Sequence, residues 1–186
     1  MSENVKEMSG QKLPKKIEAF AGQRVIAASA GASHSLCHSL AITADGSVWS
    51  WGRGGDGRLG HGDAQNQLLP KKIEAFAGQR VVAVSAGQGH SVAIPADGPG
   101  WGGGRGGLGA LGHGDEQDEW QPKKVEALIG QRVVAVSAGG GDSLALTADG
   151  AVWSWGVGRW GRLGHGDEQD QRLPKKVEAL AGQPVV

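Results

Sequence analysis

"SLALTADGAVWSWG", residues Ser143–Gly156, opens with Leu144 and Leu146 facing one way and Ser143, Ala145 and Thr147 the other. That period of two belongs to a β-strand. Asp149-Gly150 supplies the left-handed backbone of a tight turn, and Ala151–Gly156 returns with Trp153 and Trp155 on one face, completing a hairpin. Upstream, "VVAVSAG" (Val133–Gly139) is short, apolar and β-branched, which predicts a strand buried on both faces. Downstream, "PKKVEAL" predicts a fourth strand opened by Pro174, where no ladder donor is needed, with Val177 and Ala179 alternating with Lys176 and Glu178. Read as a helix, the same residues have barely two turns between Pro174 and Gly182, which is marginal alone.

This four-part unit recurs. "LPKKIEAFAGQRV" at Leu13 returns at Leu69, as "QPKKVEALIGQRV" at Gln121 and as "LPKKVEALAGQPV" at Leu173, at offsets of 56, 52 and 52 residues. Four short antiparallel strands per unit, joined by glycine-rich turns, is the sequence form of a β-propeller blade. The expected fold is all-β: an incomplete β-propeller, an open arc of about three four-stranded blades at residues 25–77, 81–129 and 133–181. A tail at 1–12 precedes the repeat domain 13–186, whose first element is an orphan strand at 14–20. Propellers close with about four to eight blades. The end faces of a three-bladed arc are therefore expected to expose apolar surface and to favour self-association.

Composition narrows the function classes. Thirty-four glycines and seven prolines in 186 residues favour turns over long helices. Lysine and arginine number 19 against 19 acidic residues, so no whole-chain field draws the protein to nucleic acid or acidic lipid, and neither is an expected partner. The lone Cys37 forms no intrachain disulfide, no apolar run reaches spanning length, and "MSENVKEMSGQKLPKK" lacks an apolar signal core. The expectation is a soluble intracellular protein of the cytoplasm or nucleus.

Candidate chemistry is sparse. "GHGD" recurs as His61/Asp63, His113/Asp115 and His165/Asp167, each between glycines and in a different blade. That arrangement reads as turn chemistry with local backbone bonding rather than a shared metal centre. "GRGGDGRLG" and "GGGRGGLG" lack the Gly-Lys-Ser/Thr ending of a phosphate loop. No Ser/His/Asp constellation stands out. The expected catalytic, cofactor and metal residues are none.

The blocks "AGQGHSVAI", "DGSVWSWGRGGDGRLGHGD" and "LPKKIEAF" strongly resemble the repeat of the regulator of chromosome condensation family, over essentially everything from Leu13 to Val186. The resemblance implies a seven-bladed propeller as the complete form. Its founding member promotes guanine-nucleotide exchange on the small GTPase Ran and binds chromatin; relatives include a plant UV-B photoreceptor and repeats within ubiquitin ligases. The photoreceptor's tryptophans and arginines fall where this chain has Ala32, Gln88 and Gly140 followed by Ser33, Gly89 and Gly141, so UV-B sensing is disfavoured.

Comparison of units also marks surface. The position of Asp56 becomes Leu108 and then Trp160, and Leu68 becomes Trp120 and then Arg172, a tolerance that suggests solvent. Aromatic and arginine side chains are the usual anchors of interfaces. The candidate partner-binding residues are Arg53, Arg105, Trp120, Arg159 and Trp160. The leading expectation is a non-enzymatic protein-interaction module; the alternatives are exchange activity on a Ran-type small GTPase, or a nonfunctional fragment of a larger propeller protein.

Two stretches depart from the repeat. "AGASHSLCHSLAIT" (Ala30–Thr43) carries four extra residues, read as a tandem duplication in a strand. The Asp45-Gly46 turn puts His38 in register, with Leu36 and Cys37 overhanging, and His34, Cys37 and His38 do not converge on a metal. "PADGPGWGGG" (Pro95–Gly104) replaces "TADGSVWSWG", and its prolines and glycines predict a frayed or absent third strand. Sequence drift is favoured there over a flexible functional loop.

Overall fold

Each Asp-Gly turn closes a hairpin, and the hairpins organise the sheets. The computed structural model describes residues 15–31 and 37–183. Three four-stranded antiparallel sheets follow one another in chain order. Blade 1 holds β1 (Val25–Ala30), β2 (His38–Thr43), β3 (Val48–Gly52) and β4 (Gln67–Lys72). Blade 2 holds β5 (Val81–Ala86), β6 (His90–Pro95), β7 (Trp101–Gly104) and β8 (Glu119–Lys124). Blade 3 holds β9 (Val133–Ala138), β10 (Asp142–Thr147), β11 (Val152–Gly156) and β12 (Gln171–Lys176). The arc is an incomplete β-propeller, and its helical segments among the described residues are three-residue 3-10 turns.

The hairpin register follows the turn. His38 pairs with Gly52 and Ile42 with Val48, so β2 begins at His38, and exposed Cys37 lies outside it. His34 and Leu36 fall outside the described residues. In blades 1 and 3 the turn aspartate is held by its neighbours: the Thr43 hydroxyl donates to Asp45 Oδ1 at 2.6 Å and the Ser47 N–H to the same oxygen at 3.1 Å, with Thr147, Asp149 and Ala151 repeating the pattern.

Blade 2 replaces those donors by Pro95 and Pro99, yet β7 forms, which corrects the expectation of a frayed strand. Pairing runs from His90 with Gly104 to Ala93 with Trp101, one rung short of the other blades, and β8 pairs the opposite side. Ladders on both flanks hold a strand whose own side chains are few. Gly102 brings the Leu111 carbonyl within 2.8 Å of where a Cβ would stand, whereas its equivalents Ser50 and Ser154 donate to the Leu59 and Leu163 carbonyls at 2.8 and 2.7 Å.

Three further expectations are corrected. The fourth strand starts three residues before the proline and ends at the second lysine; Pro70, Pro122 and Pro174 sit at the register shift of an edge strand, where no ladder bond is lost. The "EAF" and "EAL" segments that follow are 3-10 turns. For the same reason the expected strand at 14–20 is not one: Lys15–Ile17 has no regular structure, Glu18–Phe20 is a 3-10 turn, and Pro14 lies outside the described residues. The strand expected at Val133–Gly139 is not buried on both faces: Val134 is 45% exposed, and its repeat equivalents Ile26 and Val82 are 49% and 41% exposed.

The core lies between blades, not within them. Leu40, Ile42 and Val48 of blade 1 pack with Val81, Ala86 and Ala93 of blade 2, sealed by Ile73 and Phe76. Ile94, Val125 and Leu128 pack likewise with Val133, Ala145 and Trp155. The turn before each blade caps its tryptophans: Phe76 meets Trp101 edge-on at 5.6 Å, and Phe20 meets Trp49 and Trp51 at 5.7 and 5.9 Å on the outer face of blade 1.

One slot differs between the two junctions. Trp155 is fully buried, donates its indole N–H to the Ala110 carbonyl at 3.0 Å, and lies against Gly112, where any Cβ would crowd the ring. Its repeat equivalent is Gly103, and the first junction has there an apolar cavity of about 20 Å³ bordered by Leu59, Gly60, Phe76, Trp101 and Pro122. Burial of an indole dominates such a contact. Trp155→Ala is expected to destabilise the protein by about 3 to 5 kcal/mol, read as a shift in the urea midpoint; a loss below about 1 kcal/mol contradicts the assignment.

Candidate protein-interaction face

Each blade carries the same loop between its third and fourth strands, and glycine dictates its shape. Gly54, Gly106 and Gly158 lie so close to the carbonyls of Gln65, Gln117 and Gln169 that no side chain fits. Their N–H groups donate to Asn66, Asp118 and Asp170 side chains at 2.8 to 2.9 Å, pinning loop to strand. The next turn places Asp56, Leu108 and Trp160 at φ of 60°, 59° and 61°. Aspartate tolerates this left-handed region, whereas leucine and tryptophan pay on the order of 1 kcal/mol for it. The side chains so displayed point outward, with Leu108 38% and Trp160 82% exposed. The Arg162 guanidinium stacks 4.9 Å over the Trp160 ring and also meets Asp142 at 3.4 Å.

Two of these loops border a groove of about 300 Å³ that crosses all three blades. Arg53 and Arg105, one repeat apart, line it in the same pose, each guanidinium lying beside the glycine two residues on, Gly55 and Gly107. Val157 occupies the equivalent position in blade 3. Gly89, Gly140 and Gly141 open the floor, and Leu108 forms part of the rim. Arg58, buried between blades, spends its fork on the structure: Nε donates to the Gly55 carbonyl at 2.8 Å, Nη1 to the Gln88 carbonyl of blade 2 at 2.9 Å, and Nη2 pairs with Asp56 at 2.7 Å.

His90 closes the groove from below and belongs to a repeated chain of hydrogen bonds. The Ser143 hydroxyl of blade 3 donates to the Ala110 carbonyl of blade 2 at 3.0 Å, so His90 Nε2 is the donor in its 2.9 Å bond to Ser143 Oγ. One junction earlier, Ser91 donates to the Arg58 carbonyl at 2.8 Å and His38 Nε2 bonds Ser91 Oγ at 2.7 Å. The other ring nitrogen of His38 is buried without a partner. A proton there would be charged and dry. Burial, then the nearby Arg58 and His90, lowers the His38 pKa to about 4. Burial also lowers His90 to about 4, with Asp142 opposing and Arg58 adding to the shift.

The "GHGD" histidines are structural too. His61 and His165 reach the strand serines Ser50 and Ser154 at 2.9 and 3.0 Å, rather than the local backbone expected, while Asp63, Asp115 and Asp167 accept the N–H two residues on. Gly102 replaces that serine in blade 2, and both ring nitrogens of His113 are buried without a hydrogen-bond partner. Among the described residues no three His, Cys, Asp or Glu side chains are poised around a metal position. No helix there is long and apolar enough to cross a membrane.

Of the residues singled out in the sequence, the structure brings Arg53 and Arg105 together in the groove. Arg159 and Trp160 lie in the matching turn of blade 3, and both are exposed. Trp120, 44% exposed on β8, backs onto Gly57 of blade 1 and does not line the groove. Arg58, Gln88 and Val157 were missed. Repeat alignment carries their signal, since Arg53 becomes Arg105 and then Val157, whereas Arg159 aligns with Gly55 and Gly107.

The profile of the Regulator of chromosome condensation (RCC1) repeat matches residues 45–94, 97–146 and 149–186, and a second profile of the same description matches 25–58. E3 ubiquitin-protein ligase HERC2 of Homo sapiens is 41% identical over 175 residues, covering 93% of this chain and 4% of that protein. The Ultraviolet-B receptor UVR8 of Arabidopsis thaliana is 40% identical over 170 residues, covering 90% of this chain and 37% of the receptor. The chain thus spans a minor part of these relatives. Among solved structures, human WBSCR16 superposes with a TM-score of 0.70 at 29% identity, over 82% of this chain and 37% of that one. Prp20p of Saccharomyces cerevisiae, studied for its binding to Gsp1p and histones, gives 0.74 at 24% identity, over 86% and 40%.

The two buried histidines make stability depend on pH. Their folded pKa values lie below that of the unfolded chain, near 6.5, so their contribution is complete above pH 6.5. It falls as the unfolded chain takes up protons, and levels off below about pH 4, where the folded protein protonates too. The loss is on the order of 3 kcal/mol per histidine. Urea midpoints measured from pH 7.5 to 4 should fall through this window, and His90→Gln should flatten the slope. A midpoint independent of pH there contradicts the neutral, buried histidines.

Proposed function

From the premise that the chain belongs to the Regulator of chromosome condensation (RCC1) repeat family, we propose that it is a non-enzymatic protein-interaction module whose 53–58, 105–110 and 157–162 loops present one face to a protein partner. The observation that carries this reading is the row Asp56, Leu108 and Trp160. The turn geometry is kept through three blades at the cost of backbone strain, while the side chain it displays changes each time. Strain held at an exposed site points to use, and an aromatic stacked with arginine is a typical interface anchor.

Cross-linking pulldown from the protein's own cells tests it. A reproducible partner is expected, with recovery reduced by Trp160→Ala; a folded sample that recovers none contradicts the module. Nucleotide exchange on a Ran-type GTPase is the second reading, favoured by the repeat profile that covers most of the chain. At 24% identity the likeness to Prp20p supports the fold and not its partners. In a fluorescent-nucleotide release assay, no acceleration at micromolar protein is the expected result, and acceleration would replace the module with an exchange factor.

A further inference from the structure

Going beyond the interaction-module reading, we infer that the two ends of the arc are complementary, and that blade 3 of one copy docks head to tail on blade 1 of a second copy. Three observations carry this. The first is that the end faces are the surfaces that the internal junctions bury. Each junction joins the successor face of one blade to the predecessor face of the next. On the successor face Leu40 and Val92 are buried, whereas their repeat equivalent Leu144 is 37% exposed. On the predecessor face Val81 and Val133 are buried, whereas their equivalent Val25 is 39% exposed. Apolar residues uncovered at these matched positions are the two halves of one more junction.

The second is polar and steric fit. The Gly62 and Gly114 N–H groups donate to the Trp120 and Arg172 carbonyls of the next blade, both at 2.9 Å, and the Ser29 and Ser85 hydroxyls accept the N–H of Ala86 and Ala138. Blade 3 repeats these groups as Gly166 and Ser137, and blade 1 holds their complements, the Leu68 carbonyl and the Ala30 N–H. At the histidine position blade 3 has Asp142, an acceptor for the Ser39 hydroxyl of the second copy. Gly57 and Gly109 press on the backbone of Trp120 and Arg172. A Cβ on Gly161, their equivalent, would meet only the Asp167 carbonyl of its own loop, at 3.8 Å, so among the described residues this glycine seat is open.

The third is a duplicated turn. Residues 177–183 (VEALAGQ) repeat residues 17–23 (IEAFAGQ). Phe20 meets Trp49 at 5.7 Å just as Phe76, carried in from the preceding blade, meets Trp101 at 5.6 Å. The Arg24 and Arg80 carbonyls accept the Ala44 and Ala96 N–H at 2.8 and 2.7 Å. Residues 17–23 thus sit where a preceding blade places its own turn. In the joined pair, residues 177–183 of one copy take that place and residues 17–23 of the other are displaced, so the first turn is a cap that competes with docking. Head-to-tail contacts run on until closure or crowding stops them. Two copies supply six blades and a third would make nine, beyond the four to eight that a propeller holds, so assembly stops at a dimer.

Sedimentation equilibrium of the full chain tests this with Phe20→Ala, Leu144→Glu and Val25→Glu, each shown by thermal melts to be folded. A reversible dimer is expected. Phe20→Ala should tighten it roughly tenfold, because Leu180 stands in for Phe20 in the joined pair, and either glutamate should weaken it by about tenfold or more. Mixing the two glutamate variants should restore the dimer, since each keeps the face that the other has lost; a two-fold contact between like faces gives no such rescue. Where a glutamate variant does not fold, Leu144→Asn and Val25→Asn carry the same test. Monomers of both the parent chain and Phe20→Ala at submillimolar concentration, a dimer that survives either glutamate unweakened, a mixture that stays monomeric, or a species heavier than the dimer overturns the inference. The pulldown judges the module separately, since a monomer still recovers a partner if the loop face binds one.

Discussion

Everything in this chain depends on one buried contact made twice, a histidine of one blade donating to a serine of the next, which in turn donates to a carbonyl of the first. A blade alone is a half-covered sheet with little interior. Its apolar face is satisfied only by the neighbour, and hydrophobic contact is non-directional. The His–Ser–carbonyl chain sets the register in which the faces meet, because a misplaced blade would strand three polar groups in a dry junction. The Ser29 and Ser85 hydroxyls repeat the idea nearer the first strands, each accepting the N–H of the next blade, from Ala86 and Ala138.

With register fixed this way, the repeats divide into parts that vary little and parts that vary freely. Junction residues change within a narrow range, and the larger departure, Gly103 for Trp155, leaves a cavity of about 20 Å³. Loop tips change completely, from aspartate to leucine to tryptophan at a single backbone geometry. The groove lies between these regimes: Arg53 and Arg105 stand at repeat-equivalent positions on it, and Gly89, Gly140 and Gly141 line it next to the glycines, Gly87 and Gly139, at which the blades approach. The loop face is thus a by-product of stacking, varied at the few positions that stacking leaves unconstrained.

The period-two hairpins, the Asp-Gly turns and the 52-residue spacing made the fold legible, because each is local. The placement of His38 in register was legible for the same reason. The fourth strand was misplaced because proline was read as its start, whereas the register shift lets Pro174 stand inside it. Phe20 was read as strand because nothing local shows that its ring caps Trp49 and Trp51. The histidine contacts were invisible: His90 and Ser143 are 53 residues apart, and only the packing of successive sheets joins them. The left-handed turn was hidden by its own variation, since leucine and tryptophan do not announce positive φ. Arg53 and Arg105 were found as candidates, but the groove they share required the blades to be assembled.

The stacking claim is tested most directly by a double-mutant cycle on His90→Ala and Ser143→Ala, with stability measured by urea unfolding at pH 7.5. The account predicts a single cooperative transition and a coupling energy of about 1 kcal/mol or more between the two sites. Strictly additive losses, or separate unfolding of blades 2 and 3, would contradict it.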